Sequence, residues 1–372
     1  MTRRGWCPGA LRPMPAGDGL LLRIRPHGGR LSQSQVALIA DLASEYGNGQ
    51  IDLGSRANLQ LRGVREARLP ELQAALAEAD LLDGDQAAEA RRNIILTPFE
   101  AEGALGSDLL SALETGLRRG PDLPAKFGFA IDTGPFSALQ DASADLRLEQ
   151  SPEGLILRAD GMERGEAVKP QTAARRALQI ADWFSRQSGA RRMRDLVARG
   201  QLPPLRQEIA KPDPVPPAVF LRREPFLFAA FGASTAAALA GLDTGLRLTP
   251  WRAVLPEGLP KEVTADWLCD PASPVLRISA CTGAPGCSAA SVATRDLARA
   301  LAPLLPKEGA QIHISGCARG CAHPGPAALT LTGREGCFDL IENAKASDPA
   351  RRQGLEADEI TELIRGPYAA QL

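Results

Sequence analysis

A chain of 372 residues is longer than one ordinary core holds, so two or three domains are expected. Its 43 basic and 44 acidic residues leave a net charge of -1, which excludes a general nucleic-acid or polyanion binder and makes any charged recognition local. Two tyrosines and ten phenylalanines stand beside 36 glycines and 30 prolines, a composition of turns and shaped loops rather than of an aromatic core.

The opening MTRRGWCPGAL is basic without an apolar run, so it does not read as a secretory signal, and a cytoplasmic protein is expected. GLLLRIR (19–25) reads as a strand entering a turn at residues 26–29. The next stretch, SQSQVALIADLASEYG, sets Ser32 and Gln35 at capping-box spacing, places Val36, Ile39, Leu42 and Tyr46 on one helical face, and stops at Gly47. Strands follow at 51–53 and 57–62, and strand, helix, strand, strand is half of a ferredoxin-like unit. Further helices are expected over 69–82 and 172–188, and a strand over 91–99. QLPPLRQEIAKPDPVPP (201–217) carries six prolines and reads as a linker. Beyond it the opening pattern returns in shortened form: PFLFAAF as a strand, STAAALAGL as a short helix, and GLRLTPWRAVLPEGL alternating as SRANLQLRGV does. Residues 226–242 carry no charge over 17 positions, but glycines and hydroxyl residues interrupt them. A strand and a short buried helix are expected there rather than a membrane span.

Seven cysteines in a reducing compartment do not read as a disulfide framework. Cys281 and Cys287 bracket TGAPG, and Cys317 and Cys321 bracket ARG. A cluster of four irons and four sulfides needs four thiolates from loops whose glycines let the backbone approach, and Gly316, Gly320 and Gly325 crowd the second loop. SAASVATRDLARAL reads as a helix from Ser288, which would set Cys287 before a helix N-terminus. Structural zinc is the alternative. Its ligand pairs are two to four residues apart, so the three-residue gap fits and the five-residue gap fits poorly. His313 alternates with Ile312 and Ile314 and reads as a packed strand residue, while His323, just past the last cysteine, has two readings, a plain packed or hydrogen-bonded histidine or a group that touches a substrate. Cys7 has two readings, an active-site group or a plain loop cysteine. Cys269 and Cys337 read as core residues.

Strand parity puts Arg56, Asn58, Gln60 and Arg62 on one face, pairs Arg23 with Arg25, and groups Arg247 with Thr249 and Trp251. Such arginine-rich faces suit a polycarboxylate, because guanidinium binds carboxylate through two parallel hydrogen bonds. The competing reading is a solvated sheet face with surface ion pairs of little worth. No G-x-G-x-x-G follows a strand and no P-loop occurs, so nicotinamide or flavin within this chain is not expected.

The loops CTGAPGC and GCARGC, and the segment from Gly17 to Val64, resemble the nitrite and sulfite reductase superfamily. Within it, RGWCPGALRPMPAGDGLLLRIRP, RLTPWR and the short chain are similar to the precorrin-3B synthase family of aerobic cobalamin biosynthesis. The resemblance implies an α+β, pseudo-twofold fold with a split ferredoxin-like module and two larger tetrapyrrole-site domains. The expected boundaries are 1–66 for the first half-module, 67–200 for the first large domain, 201–217 for the linker, 218–262 for the second half-module and 263–372 for the cluster domain. It also implies a 4Fe-4S cluster on Cys281, Cys287, Cys317 and Cys321. The implied reaction is dioxygen-dependent hydroxylation of precorrin-3A with lactone closure, with electrons from a separate reductase or ferredoxin and with neither nucleic acid nor membrane as partner. A mononuclear non-haem iron is associated with the family, but the spacing identifies no ligands for it. Three of the four cations that sulfite-reducing members place around their haem fall on Arg56 in SRANLQ, Arg92 in RRNIIL and Lys126 in LPAKFGF. The fourth falls on Gly128. That departure disfavours the alternative, a siroheme-dependent nitrite or sulfite reductase. A non-catalytic tetrapyrrole-binding or electron-transfer protein is the remaining alternative.

Overall fold

The structure, a computed structural model, describes residues 8–222, 224–306, 308–366 and 368; Cys7 lies outside them. The first half-module comprises β1 (Met14–Ala16), β2 (Gly19–Ile24), β3 (Arg30–Leu31), α1 (Gln33–Tyr46), β4 (Gln50–Gly54) and β5 (Asn58–Val64). Helix α1 starts where the capping box places it. Ser32 Oγ accepts from Gln35 N at 3.2 Å and Gln35 Oε1 accepts from Ser32 N at 3.0 Å. Its Val36, Ile39, Leu42 and Ala43 are buried. Gly47 closes it, since a Cβ there would lie 2.6 Å from Arg62 O.

The first large domain contains α2 (Leu69–Glu78), α3 (Gln86–Arg91), β6 (Ile94–Leu96), α4 (Leu105–Leu117), β7 (Phe129–Asp132), β8 (Leu146–Ser151), β9 (Gly154–Ala159), β10 (Arg164–Ala167), α5 (Pro170–Ser185), α6 (Met193–Ala198) and β11 (Ile209–Ala210). Its sheet runs β11-β10-β9-β8-β7-β6, and Leu109, Leu113, Phe129, Ile131, Leu148, Ala177 and Phe184 form the core between one sheet face and α4 and α5. The strand expected over 91–99 shrinks to three residues because α3 takes the chain up to Arg91. Helix α2 stops at Glu78, and Asp80 follows with φ 57.

The second half follows with α7 (Pro217–Phe220), β12 (Leu227–Ala229), β13 (Ala233–Thr235), α8 (Ala236–Leu242), β14 (Leu246–Leu248), β15 (Ala253–Pro256) and β16 (Trp267–Leu268). The last domain holds β17 (Ile278–Ala280), α9 (Thr294–Leu301), β18 (Ile312–Ser315), β19 (Ala327–Arg334), β20 (Cys337–Ala344), β21 (Arg352–Leu355) and α10 (Ala357–Arg365).

The two half-modules exchange a strand each. Their sheets run β1-β2-β5-β4-β13 and β16-β12-β15-β14-β3, so β13 completes the first sheet and β3 the second. The backbone repeats as well: φ is 60 at both Gly28 and Phe231, 71 and 75 at Gly29 and Gly232, and 50 and 57 at Ala57 and Arg252. One core joins both halves, with Val36, Ile39, Leu239, Leu242, Leu246 and Val254 buried in it. This is the pseudo-twofold α+β arrangement expected from the recurring pattern.

Four expectations need correction. The proline-rich stretch is docked rather than free: β11 pairs with β10, Lys211 N donates to Glu163 O at 2.9 Å, and Val215 N to Ser137 O at 3.0 Å. The second half-module's sheet reaches β16, past residue 262, because Leu268 and Trp267 pair with Phe228 and Ala229. Residues 226–242 divide among a strand, a tight turn, another strand and a short helix, and no helix among the described residues is long and apolar enough to cross a membrane. Finally, α9 begins at Thr294 rather than Ser288. The backbone before it is used to tie loops together, through Ala290 N to Cys287 O at 3.0 Å and Ser291 N to Gly316 O at 3.2 Å. The helix therefore does not begin directly after Cys287.

Candidate functional site at the cysteine loops and the polar sheet face

Strands β17 and β18 are parallel neighbours, with Ala280 opposite Ile314, so Cys281 and Cys317 leave the sheet at the same end. Cys281 N continues the ladder to Ile314 O at 3.2 Å, and Gly316 N donates to Cys281 Sγ at 3.2 Å. The first loop folds tightly: Cys287 N donates to Gly283 O at 2.8 Å, and Gly283 sits at φ 68 with no room for a side chain, since a Cβ would stand 2.6 Å from Thr294 Oγ1. That hydroxyl donates to Cys281 O at 2.6 Å. In the second loop Ser315 Oγ donates to Cys317 O at 2.7 Å. Burial, then the neighbouring Cys317, Cys281 and Cys287, push the Cys321 thiol above its ordinary range. All four thiols therefore share one electrostatic neighbourhood. Among the described residues no three His, Cys, Asp or Glu side chains form a set that would hold a single metal ion. Four thiols in one neighbourhood, on two loops tied by a backbone N–H to one sulfur, are the donor set an iron-sulfur cube takes. No comparable set exists there for a mononuclear iron.

The cysteine loop docks on the first half-module. Gly286 O accepts from Arg62 Nη2 at 2.7 Å and from Gly17 N at 3.3 Å. Gly17 has to be glycine, because a Cβ would meet Pro285 O at 2.6 Å. Arg62 is held by Asp18 through two bonds of 3.0 Å and lies 3.6 Å from Asp52, which in turn holds Arg295 at 3.0 Å. Arg62, expected to meet substrate, thus has its guanidinium engaged in fixing the residue next to Cys287.

At the other end of β5 the expected residues also converge. Arg25, Arg56, Asn58 and Arg92 line one cavity with Glu114 and Ser143. Its volume of about 10 Å³ is room for roughly one water and not for a macrocycle. The guanidiniums are turned inward. Arg92 makes two 2.8 Å bonds to Asp83 and one of 2.7 Å to Arg25 O, Arg25 donates to Glu89 O at 2.7 Å, and Arg56 donates to Lys126 O at 2.9 Å and Ser143 Oγ at 3.0 Å. The reason is packing: these residues join the half-module to the first large domain, and burying an arginine requires a full set of acceptors. Lys126 is exposed beside them. A lysine in place of Gly128 would be crowded, its Cβ 3.1 Å from Asn93 O.

Between the two ends lies a row of polar groups, buried Asp52 and half-buried Gln60 and Arg23, which stand opposite one another across β4, β5 and β2. From Asn58 to Arg62 the strand covers about 13 Å, so the polar face runs from the first domain to the cysteine loop.

Arg252, in RLTPWR, lies at the seam with the second cysteine loop and was not singled out by parity. Its Nη2 donates to Ala322 O at 3.0 Å, and burial followed by Arg295 pushes its pKa down, with Asp52 acting in the opposite sense. His313 is fully buried on β18 with neither ring nitrogen hydrogen-bonded. Burial, His323 and Arg252 push its pKa down to about 4, so it is neutral at pH 7. The His323 ring stands 5.7 Å from it, centroid to centroid, with Nε2 at 3.1 Å from Pro326 O.

Comparison with known proteins agrees with this architecture. Residues 12–79 match the nitrite/sulfite reductase ferredoxin-like half domain. A ferredoxin--nitrite reductase of Leptolyngbya laminosa is 28% identical over 35% of this chain and 28% of its own length. The structure of Mycobacterium tuberculosis NirA protein superposes with a TM-score of 0.62 at 18% identity, over 93% of this chain and 79% of that one. A precorrin-3B synthase of Sinorhizobium sp is 30% identical over 93% of this chain and 84% of its own length. A likeness of that extent identifies this chain as a member of the precorrin-3B synthase family.

Proposed function

We propose that the chain hydroxylates precorrin-3A at the expense of dioxygen, with an acetate side chain closing a lactone, as a step of aerobic cobalamin synthesis. The observation that carries this reading is the junction of the cysteine loops with the polar sheet face, made where Arg62 holds Gly286. Cys281, Cys287, Cys317 and Cys321 would hold a 4Fe-4S cluster, which supplies electrons one at a time from a separate reductase or ferredoxin. The chain's own residues do the rest. Arg23, Gln60 and Asn58 present polar groups toward a flat, acidic ring, while Lys126 adds a surface cation at the far end of the same strand. Arg25, Arg56 and Arg92 keep that end rigid, and a ring docking there needs the first domain to part from the half-module by more than the present crevice allows. Gly128 in place of a fourth cation leaves one proton donor fewer for stripping oxygen from sulfite or nitrite.

A siroheme-dependent nitrite or sulfite reductase is the second reading, favoured by the likeness to the nitrite reductase. Incubating protein purified anaerobically with precorrin-3A, dioxygen and an electron donor separates them. The expected result is a product heavier by oxygen and no porphyrinoid absorption in the starting protein. Porphyrinoid bands with sulfite or nitrite consumption would establish the second reading, and retention of the macrocycle without dioxygen uptake would make the chain a binding protein.

A further inference from the structure

Three guanidiniums, those of Arg62, Arg252 and Arg295, meet at the seam between the ferredoxin-like module and the cysteine loops, and two carboxylates face them. Asp18 is taken by Arg62, and Asp52 is shared between Arg62 and Arg295. Among the described residues Arg252 forms no ion pair; its hydrogen bond goes to Ala322 O, one residue past Cys321. Asp52 still acts on it electrostatically, but Asp52 is already claimed twice. The seam therefore carries one positive charge more than its own residues neutralise.

The position does not need an arginine for its shape. In the first half-module the same turn is made by Ala57 at φ 50, whereas here Arg252 adopts φ 57 with its side chain packed so that a Cβ on Gly232 would stand 3.0 Å from its Cδ. A half-buried charged residue in a strained backbone conformation, with no carboxylate in hydrogen-bonding contact, points to an anion that answers it. Beyond Asp52, the anionic chemistry its hydrogen bond reaches toward is the set of four thiolates, since Ala322 follows Cys321 in the chain. A thiolate-bound cluster is anionic and becomes more so on accepting an electron, so a fixed cation beside it favours the reduced state.

We propose that Arg252 supplies the uncompensated positive charge that sets the reduction potential of the cluster, acting from the second half-module through the Ala322 turn as a positioning residue. This rests on the reading that the four cysteines hold a cluster. The test is a redox titration of the reconstituted protein followed by the electron paramagnetic resonance signal of the reduced cluster. Arg252→Gln should lower the reduction equilibrium about tenfold, 59 mV for a one-electron couple, and Arg252→Lys should stay within about threefold of the parent because it keeps the charge. No shift in Arg252→Gln, or equal shifts in both variants, overturns the proposal, since the hydrogen bond and not the charge would then matter. If Arg252→Gln fails to hold a cluster, Arg295→Gln removes a cation from the same seam and should also shift the potential downward; an unchanged potential overturns the proposal. A parent chain that takes up no cluster defeats the cluster reading along with this one, whereas uptake with an unmoved potential defeats this one alone.

Discussion

The two large domains treat the polar faces of their sheets in opposite ways. In the first, Arg147, Glu149 and Arg158 point away from the α4 and α5 side and are paired among themselves and with the loop that covers them. Arg147 holds Asp160 at 3.1 Å and the carbonyls of Leu139 and Ala142, and Arg158 holds Glu149 at 2.7 Å, Gln140 and Met162 O. In the last domain the corresponding face carries Ser279, His313, Ser315, Thr330 and Thr332. Three of its hydroxyls serve backbone carbonyls, as in Thr332 Oγ1 to Ala346 O at 3.1 Å, and among the described residues neither ring nitrogen of His313 has a hydrogen-bond partner. One face is closed on itself by a network of charge, while the other is mostly hydroxyl and imidazole, with a single carboxylate, Asp339, opposite Thr332 and paired with Arg334 at 3.0 Å. Fewer fixed charges on that face leave the cations of the seam a larger share in setting the field there.

Cutting the charged brace should have the largest effect. Arg147→Met removes a donor from Ala142 O, leaves Leu139 O only the Ala142 N–H at 2.9 Å, and strips Asp160 of one partner, although Arg194 remains at 2.7 Å. Loss of about 3 kcal/mol, the low end for a broken buried pair, is expected in urea denaturation. A loss near zero would mean that the covering loop is not held by this network.

A second cut tests the one member of that face that is poorly served. Asp132 accepts from Leu139 N at 2.8 Å with one oxygen, and its other oxygen has no partner. Burial, with Glu149 adding to it, raises its pKa to about 7. Between about pH 4 and 7 the folded chain therefore keeps a proton that the unfolded chain releases, and this group's contribution to stability falls as pH rises through that window. Asp132→Asn cannot ionise, so its stability relative to the parent should rise by roughly 2–4 kcal/mol from pH 4 to 8. A difference independent of pH would show that Asp132 is ionised in the fold throughout.

Local chemistry was readable in the sequence wherever a short-range rule sufficed. The Ser32–Gln35 box, the β4–β5 pairing and the recurrence after residue 217 all follow from neighbours in the chain. Strands β8 and β9 were not readable, because Arg147, Glu149 and Arg158 at alternate positions look like a solvated face until the covering loop is known. The start of α9 was misplaced because the donors of residues 290 and 291 go to other loops rather than to a helical turn. The spacing of the cysteines set four candidate ligands apart from the others. It could not announce that Arg62 reaches Gly286 across 224 residues, nor that Arg25 and Arg92 face inward, since strand parity gives a face but not what covers it.

The smallest expected effect falls on the last domain's side of the comparison. Gly316 sits between Ser315 and Cys317, where a Cβ would stand 2.5 Å from the Cβ of Ala290 in the other cysteine loop. Gly316 also carries two bonds between the loops, N to Cys281 Sγ at 3.2 Å and O from Ser291 N at 3.2 Å. Gly316→Ala therefore has to push the loops apart at the point where they are tied, at a cost of about 1–3 kcal/mol for overpacking. Thermal unfolding should show this loss, and the iron and sulfide retained after reconstitution should fall more than the stability does, because the thiols are displaced before the sheet is. Full cluster retention with the expected destabilisation would place the strain elsewhere and would mean that the close approach of the two loops is not what sets the spacing of the sulfurs.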